Sequence, residues 1–222
     1  MSKNSTSFEY KKSLKEKNKI LLNDIIKIEK IFHRPLASLI VRAIYKSNIT
    51  PNQVTYVSFF LGLAAIFSYI QATPFYFMLG GIFTILSSVV DCVDGQLARV
   101  KNMCSEYGAY LDLFFDRIVD FGILASIGYG VYKYSGEVHL LLLGMLTAGL
   151  YLLQVNLYYL ANQAAKNNKT GETSEGHSLI LFMIALFSVI NQMELFTYLM
   201  FIETICVNLG WFIYFIHLGN KK

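Results

Sequence analysis

The apolar residues of this 222-residue chain are gathered into segments about as long as a membrane is thick. A helix needs roughly 20 apolar residues to cross the hydrocarbon core of a bilayer. Six segments approach that length: residues 53–72, 76–97, 109–132, 138–160, 178–192 and 195–217. The pattern predicts an all-α, polytopic membrane protein with six transmembrane helices. The fifth segment is short, and a buried core helix is its alternative interpretation.

Basic residues sort to one side of this predicted arrangement. Most precede the first span, and others follow the second and fourth spans or end the chain. Lys133 falls in a loop on the opposite side, and Arg117 lies within the third span. Because basic loops stay on the cytoplasmic side, we predict cytoplasmic termini and a cytoplasmic active site in a multi-pass protein of the cell (inner) membrane. No cleavable signal peptide is predicted, since residues 1–10 lack an apolar run behind a basic leader.

Two segments precede the domain of six helices, which we assign to residues 49–222. Residues 1–19 are polar and lysine-rich. The positive charge is concentrated in residues 11–30, and either attraction to anionic lipids or simple solvation accounts for it; nucleic-acid binding is not expected. Residues 20–48 carry apolar side chains at helical spacing, which predicts an amphipathic helix in the membrane interface. Pro35 is expected to begin its second half. The run Thr50-Pro51-Asn52 predicts the start of the first span.

Aspartates lie at or inside the predicted apolar helices, where an ionised carboxylate costs roughly 2.5 to 3.5 kcal/mol at the centre. They are Asp91, Asp94, Asp112, Asp116 and Asp120. Arg99 and Arg117 are the basic residues near them, and two cations cannot neutralise five acids. Carboxylate oxygens are the ligands that Mg²⁺, Mn²⁺ and Ca²⁺ prefer, so a bound divalent cation is predicted. A carboxylate-lined ion or proton pathway is the alternative.

The spacing of the acids places them on single helix faces. Asp91 and Asp94 are three residues apart in the second span, and Asp112 and Asp116 are four apart in the third. A short connection makes the two helices antiparallel neighbours, so both pairs are predicted to meet near the cytoplasmic side. Asp120, one turn further along, is predicted to be a deeper structural acid.

Small residues and an arginine accompany the acids. Gly95 and Ala98 leave space beside the carboxylates, while Arg99 offers a planar fork that suits phosphate oxygens. Acid-bound metal beside an arginine favours a pyrophosphate ligand, which a cation channel does not need.

Residues 91–116 read DCVDGQLARVKNMCSEYGAYLDLFFD and match D-x-x-D-G-x-x-A-R-x8-G-x3-D-x3-D at every fixed position. This pattern resembles the signature of the CDP-alcohol phosphatidyltransferases. The resemblance implies a transferase of phospholipid biosynthesis that moves a substituted phosphate from a CDP-linked donor, such as CDP-diacylglycerol, to an alcohol and releases CMP. It also implies two Mg²⁺ or Mn²⁺ ions and a homodimer in the membrane.

The resemblance further implies roles for individual residues. The metal ligands would be Asp91, Asp94, Asp112 and Asp116, and Asp116 would also take the proton from the acceptor hydroxyl. The CDP donor would be contacted by residues of the signature and of the start of the first span: Gly95, Ala98, Arg99, Ser105, Gly108, Pro51, Asn52 and Thr55. Thr55 could instead bond only to its own helix backbone. Glu106 is a weaker candidate, with a solvated loop carboxylate as its alternative.

The acceptor stays open between inositol or its phosphate, another polyol, serine and glycerol phosphate. Residues 108–121 resemble polyol-type members, but residues 151–166 offer amides such as Gln154 and Asn156 where those members carry arginines. Amides favour a neutral polyol or an amino alcohol, although Lys166 or His177 could still bind an anion. Two other classes remain. An intramembrane prenyltransferase would be expected to have a second aspartate-rich motif, and an ion transporter or channel would need polar residues all along a pathway.

Overall fold

The computed structural model describes residues 33–164 and 174–219. Within these ranges the chain forms seven helices and no strand, which confirms the all-α prediction. The helices are α1 (Arg34–Ile44), α2 (Pro51–Ile70), α3 (Pro74–Lys101), α4 (Glu106–Ser135), α5 (Val138–Ala164), α6 (Ser174–Val189) and α7 (Met193–Gly219). The predicted segment 1–19 and the first part of the segment 20–48 lie outside the described residues.

The start of α2 is set by a capping residue. The backbone N–H of Gln53 donates to Thr50 Oγ1 at 3.4 Å, and the N–H of Thr50 donates to Gln53 Oε1 at 2.9 Å. This capping box satisfies two backbone donors that a helix start otherwise leaves unpaired. The start signal Thr50-Pro51-Asn52 is therefore confirmed, with Pro51 as the first helical residue.

A short turn joins α3 to α4 and makes them antiparallel. Asn102 ends α3 with a left-handed backbone conformation (φ 56°), which asparagine tolerates. Ser105 then caps α4, because its Oγ accepts a hydrogen bond from the N–H of Gly108 at 3.0 Å. Both helices extend beyond the predicted spans, since hydropathy falls where charged residues begin whereas a helix continues to its caps.

The helices pack as a bundle around a shared apolar core. α2 contacts α3 and α4, and further contacts join α4 to α5, α3 to α6 and α5 to α7. Core side chains that are almost completely buried include Tyr69, Phe77 and Ile127. α4 and α5 approach closely at Gly128 and Gly144, where a Cβ on Gly128 would lie 2.6 Å from the Cα of Gly144. Small residues of this kind allow membrane helices to touch.

Several helices meet the length and hydropathy that a membrane span requires. Within the described residues these are α2, α3, Val138–Tyr158 of α5 and Met193–Ile216 of α7. α4 has 30 residues but carries the aspartates, and α6 contributes a shorter apolar stretch, Leu179–Val189. The chain is therefore a polytopic membrane protein, and the count of six spans stays a prediction for α4 and α6.

The helix α1 packs against the C-terminal half of α3. Ala37 and Val41 are fully buried and join a small apolar cluster with Val54, Val93 and Leu97. Exposed apolar side chains such as Leu39 lie on another face of α1. This two-faced helix is the described part of the predicted interfacial segment, and its position fixes the direction from which the chain enters α2.

Candidate metal and nucleotide site

The antiparallel pair α3 and α4 brings three of the predicted acids together. Asp91 on α3 and Asp112 and Asp116 on α4 each place one carboxylate oxygen so that all three oxygens lie within 4.8 Å of one another. All three residues are partly buried. Carboxylates held this close inside an apolar bundle need a compensating cation. The three acids therefore form a candidate metal site.

One oxygen of this cluster supports that interpretation directly. Oδ1 of Asp112 is buried and has no hydrogen-bond partner among the described residues. A buried carboxylate oxygen without a partner is costly, and metal coordination is one way to satisfy it. The donor set consists of carboxylate oxygens alone, which hard divalent cations prefer. The residues present thus fit Mg²⁺ or Mn²⁺.

The fourth predicted ligand, Asp94, lies beside this cluster and faces α2. Its side chain is buried, and its Oδ2 accepts a hydrogen bond of 2.6 Å from Thr55 Oγ1. The same hydroxyl lies 3.2 Å from the backbone oxygen of Pro51. The backbone contact given as the alternative for Thr55 is therefore present, but the shorter contact is the one to Asp94. The predicted contact of Thr55 with the CDP donor stays a prediction. Thr55 orients this carboxylate next to the three clustered acids.

Asp120 lies one turn deeper and pairs with a cation of its own helix. Arg117 Nη1 donates to Asp120 Oδ2 at 3.1 Å, and the Asp120 side chain is 5% exposed. Arg117 is held by Asp120 rather than by the three clustered acids in this contact.

The signature residues Gly95 and Arg99 lie together at the end of α3. A Cβ on Gly95 would lie 3.4 Å from Arg99 Nη1, so the guanidinium lies against the Cα of this glycine. Ala98, one turn after Asp94, is partly buried. A guanidinium beside carboxylates can bind the oxygens of a metal-bound phosphate.

A second glycine of the signature marks the place where three chain segments converge. A Cβ on Gly108 would lie 3.1 Å from both Asn52 Oδ1 and Ser105 Oγ. The start of α2, the α3–α4 turn and the start of α4 therefore meet, with Pro51 buried beside them. We call this convergence of Asn52, Ser105 and Gly108 the mouth of the site. Glu106 also lies in the first turn of α4, where it is exposed.

A small cavity extends from the acids into the bundle. Its volume is about 30 Å³, which is space for one or two water molecules. Asp91, Asp116 and Asp120 line it together with hydroxyl groups of α2 and α3. These hydroxyl groups belong to Ser58, Thr84, Ser87 and Ser88. The hydroxyl lining was not predicted, because serine and threonine are common in apolar helices and only the fold shows that they face one cavity.

The predicted acceptor residues are less well placed by the structure. Asn156 is an exposed residue of α5. Lys166 lies outside the described residues, and His177 belongs to the first turns of α6, where only the backbone is described. The role of these three residues therefore stays a prediction.

The interface between α5 and α7 holds polar side chains that the sequence analysis did not connect. Four of them have a buried oxygen with no hydrogen-bond partner among the described residues: Gln154, Tyr158, Glu203 and Asn208. We call them the α5–α7 seam. Gln154 Nε2 donates to Glu203 Oε1 at 3.4 Å, which links the two helices. The sequence feature that could have indicated this polar interface is Glu203, an acid inside a predicted span.

Comparison with known proteins agrees with this geometry. Residues 48–215 match the family model described as CDP-alcohol phosphatidyltransferase. The chain is 28% identical to the archaetidylinositol phosphate synthase of Pyrococcus horikoshii, over 68% of this chain and 75% of the relative. It is 30% identical to the CDP-diacylglycerol–serine O-phosphatidyltransferase of Helicobacter pylori, over 59% of this chain and 50% of the relative.

A larger relative shares a shorter region. The chain is 41% identical to the bifunctional IPC transferase and DIPP synthase of Thermococcus kodakarensis over 36% of its own length, and it spans 18% of that protein. The family model, in contrast, covers the helices α2 to α6 and most of α7, including every residue of the acidic cluster and of the mouth. On that match, the chain belongs to the CDP-alcohol phosphatidyltransferase family.

Proposed function

We propose that the protein is a membrane transferase that moves a substituted phosphate group from a CDP-linked lipid donor to an alcohol and releases CMP. The observation that carries this proposal is the convergence of Asp91, Asp112 and Asp116 within 4.8 Å on the two helices of the signature. Family membership supports a phosphatidyltransferase over the two alternatives that the sequence left open, an intramembrane prenyltransferase and an ion transporter or channel.

We assign the metal ligands to the three clustered acids together with Asp94, whose carboxylate Thr55 orients beside them. Four carboxylates carry a charge that two divalent cations would balance. When bound, such cations neutralise charge that develops on the pyrophosphate and so make CMP a better leaving group. Arg99, beside Gly95, supplies a fork for phosphate oxygens at the same end of α3.

We assign the removal of the acceptor proton to Asp116. In the proposed reaction the alcohol oxygen forms a bond to the phosphorus that bears the lipid, the bond from that phosphorus to the CMP oxygen breaks, and the alcohol proton passes to the Asp116 carboxylate. Asp116 lines the polar cavity, which offers hydroxyl groups and space for water around that carboxylate. A positioned base of this kind contributes roughly 10²- to 10⁴-fold to a rate.

We expect the nucleotide to lie at the mouth, because Asn52 and Ser105 offer hydrogen-bonding groups there and Gly108 allows a close approach. The mouth lies at the end of the bundle where the predicted cytoplasmic loops begin. CMP would then be released to the cytoplasm, with both termini on the same side, in the cell membrane. A homodimer is the expected assembly on the family resemblance.

We infer that the acceptor is a polyol or amino alcohol without a phosphate group. The α5–α7 seam presents the carboxylate of Glu203 and buried, unpartnered side-chain oxygens, which call for hydroxyl or ammonium donors rather than for an anion. Lys166 and His177 are the residues through which a phosphorylated acceptor would be held instead.

The test is turnover by the purified full chain in detergent with Mn²⁺ or Mg²⁺ and CDP-diacylglycerol. Radiolabelled myo-inositol, inositol phosphate, serine and glycerol phosphate are supplied one at a time, and product lipid and CMP are measured. The proposal expects CMP release that depends on both the metal and one alcohol. CDP-diacylglycerol that stays intact with every acceptor, together with an absence of Mn²⁺-dependent CDP binding in calorimetry, would contradict it. A phosphorylated acceptor as the best substrate would overturn the inference from the seam alone.

A further inference from the structure

The ammonium group of Lys101 holds the loop between α1 and α2. Lys101 is the last residue of α3, and its Nζ donates to the backbone oxygens of Ser47 and Ile49 at 2.7 Å each. An ammonium group has three donors, so two of them are used by one short loop. Hydrogen bonds from charged donors are about twice as strong as those between neutral groups.

No role was predicted for Lys101, because it occupies one of the eight variable positions between Arg99 and Gly108 of the signature. The structure shows that it connects two parts of the site. Its helix carries Asp91 and Asp94, while the loop that it binds leads directly into α2. The contacts join residues 54 and 52 positions apart in the sequence, so they constrain the tertiary arrangement.

The loop matters because it leads into the residues that line the mouth. Ile49 precedes the capping residue Thr50, and Asn52 comes two residues later, with its Oδ1 at the mouth beside Gly108. Thr55, one turn further, donates to Asp94. A displacement of the carbonyl groups at Ser47 and Ile49 would therefore move the side chains of Asn52 and Thr55, which are predicted to contact the CDP-linked substrate.

We propose that Lys101 is a positioning residue that sets the start of α2, and with it Asn52, against the mouth of the site. The inference rests on the proposed function, since it assigns the mouth to the CDP donor. Lys46 lies in the same loop and provides a matched control. Its Nζ is placed over the ring of Tyr45, 5.8 Å from the centroid.

The experiment compares Lys101→Met, Lys101→Arg and Lys46→Met with the wild type, using CDP-diacylglycerol and the best acceptor at saturating Mn²⁺. We expect Lys101→Met to raise the KM for CDP-diacylglycerol about tenfold and to change kcat less than about twofold, because a positioning contact acts on donor binding. Lys101→Arg should raise this KM less than Lys101→Met does, because the guanidinium keeps hydrogen-bond donors. Lys46→Met should behave as the wild type. A wild-type KM in Lys101→Met, or a loss confined to kcat, overturns the inference.

Hydrogen exchange separates this inference from the proposed function, because it needs no turnover. Lys101→Met should speed exchange of the backbone amides at residues 47–53 while leaving those of α7 unchanged. Unchanged exchange at residues 47–53 overturns the role of Lys101 even if the enzyme is active. If the wild type is inactive but Lys101→Met still exchanges faster at residues 47–53, the proposed function is wrong. The contact between Lys101 and the loop is then still supported.

Discussion

Thr55 and Asp94 lie on different helices, and Oγ1 of Thr55 donates a 2.6 Å hydrogen bond to Oδ2 of Asp94. Both residues are buried. The carboxylate at the edge of the acidic cluster is therefore oriented by a hydroxyl group from α2, so that α2 contributes to the candidate metal site without supplying an acid to it.

Replacing Thr55 by Val should weaken metal binding. Valine keeps the shape of the side chain but removes the donor, which leaves Asp94 Oδ2 without this partner. Partners that orient metal ligands typically change affinity by about 10- to 100-fold. We expect a loss in the lower part of that range for Mn²⁺, measured by isothermal titration calorimetry. Thr55→Ser keeps the hydroxyl and serves as the control; equal affinities of the valine and serine variants would contradict the orienting role.

Replacing Asp116 by Asn should abolish turnover while leaving metal and donor binding partly intact. The amide cannot take the proton of the acceptor alcohol, and loss of a positioned base lowers a rate by roughly 10²- to 10⁴-fold. CMP release and Mn²⁺-dependent CDP binding are measured side by side. Glu106→Gln, which neutralises an exposed acid in the first turn of the same helix, should stay active. Full activity in Asp116→Asn would refute its role as base.

Replacing Asp112 by Asn should have opposite effects with and without metal. In EDTA the variant should unfold at a higher temperature than the wild type, because one of three neighbouring negative charges is gone. In Mn²⁺ the order should reverse, since the wild type gains about 2.7 kcal/mol when the metal is present at 100 times its Kd. Thermal unfolding in detergent measures both conditions. Equal gains from Mn²⁺ in both proteins would exclude Asp112 as a ligand.

The convergence of the acids was predictable because it depends on local rules. Residues three or four apart share a helix face, and a short turn keeps the start of α4 near the end of α3. Those two facts predict that the acids of the two helices face the same site, while in the structure α2 packs against both helices. The position of Asp94 just outside this cluster was not predictable, because it depends on the hydroxyl that α2 presents to α3.

The α5–α7 seam shows where the sequence ceases to be informative. α7 is apolar all round, so its pattern does not indicate which face meets α5. Glu203 signals that one face must be protected from lipid, yet its partner Gln154 is identified only by the packing. The tie between Lys101 and the loop before α2 escapes prediction for a similar reason, since its acceptors are backbone carbonyl groups that carry no sequence signal.

Replacing Gly144 by Ala should destabilise the protein and disturb acceptor binding. A Cβ on Gly144 would overlap the Cα of Gly128 across the α4–α5 contact, so the helices must separate. Forcing extra atoms into a packed contact costs about 1 to 3 kcal/mol. Because α5 carries Gln154 and Tyr158, its displacement should also raise the KM for the acceptor more than that for CDP-diacylglycerol.

Gly149, about one helical turn further along α5, provides the matched control. A Cβ there would meet no atom within 4 Å, so Gly149→Ala should leave the unfolding temperature unchanged or raise it slightly through better helix propensity. Thermal unfolding in detergent and the two KM values are measured for both variants. If Gly144→Ala and Gly149→Ala behave alike, the close contact between α4 and α5 does not set the position of the seam.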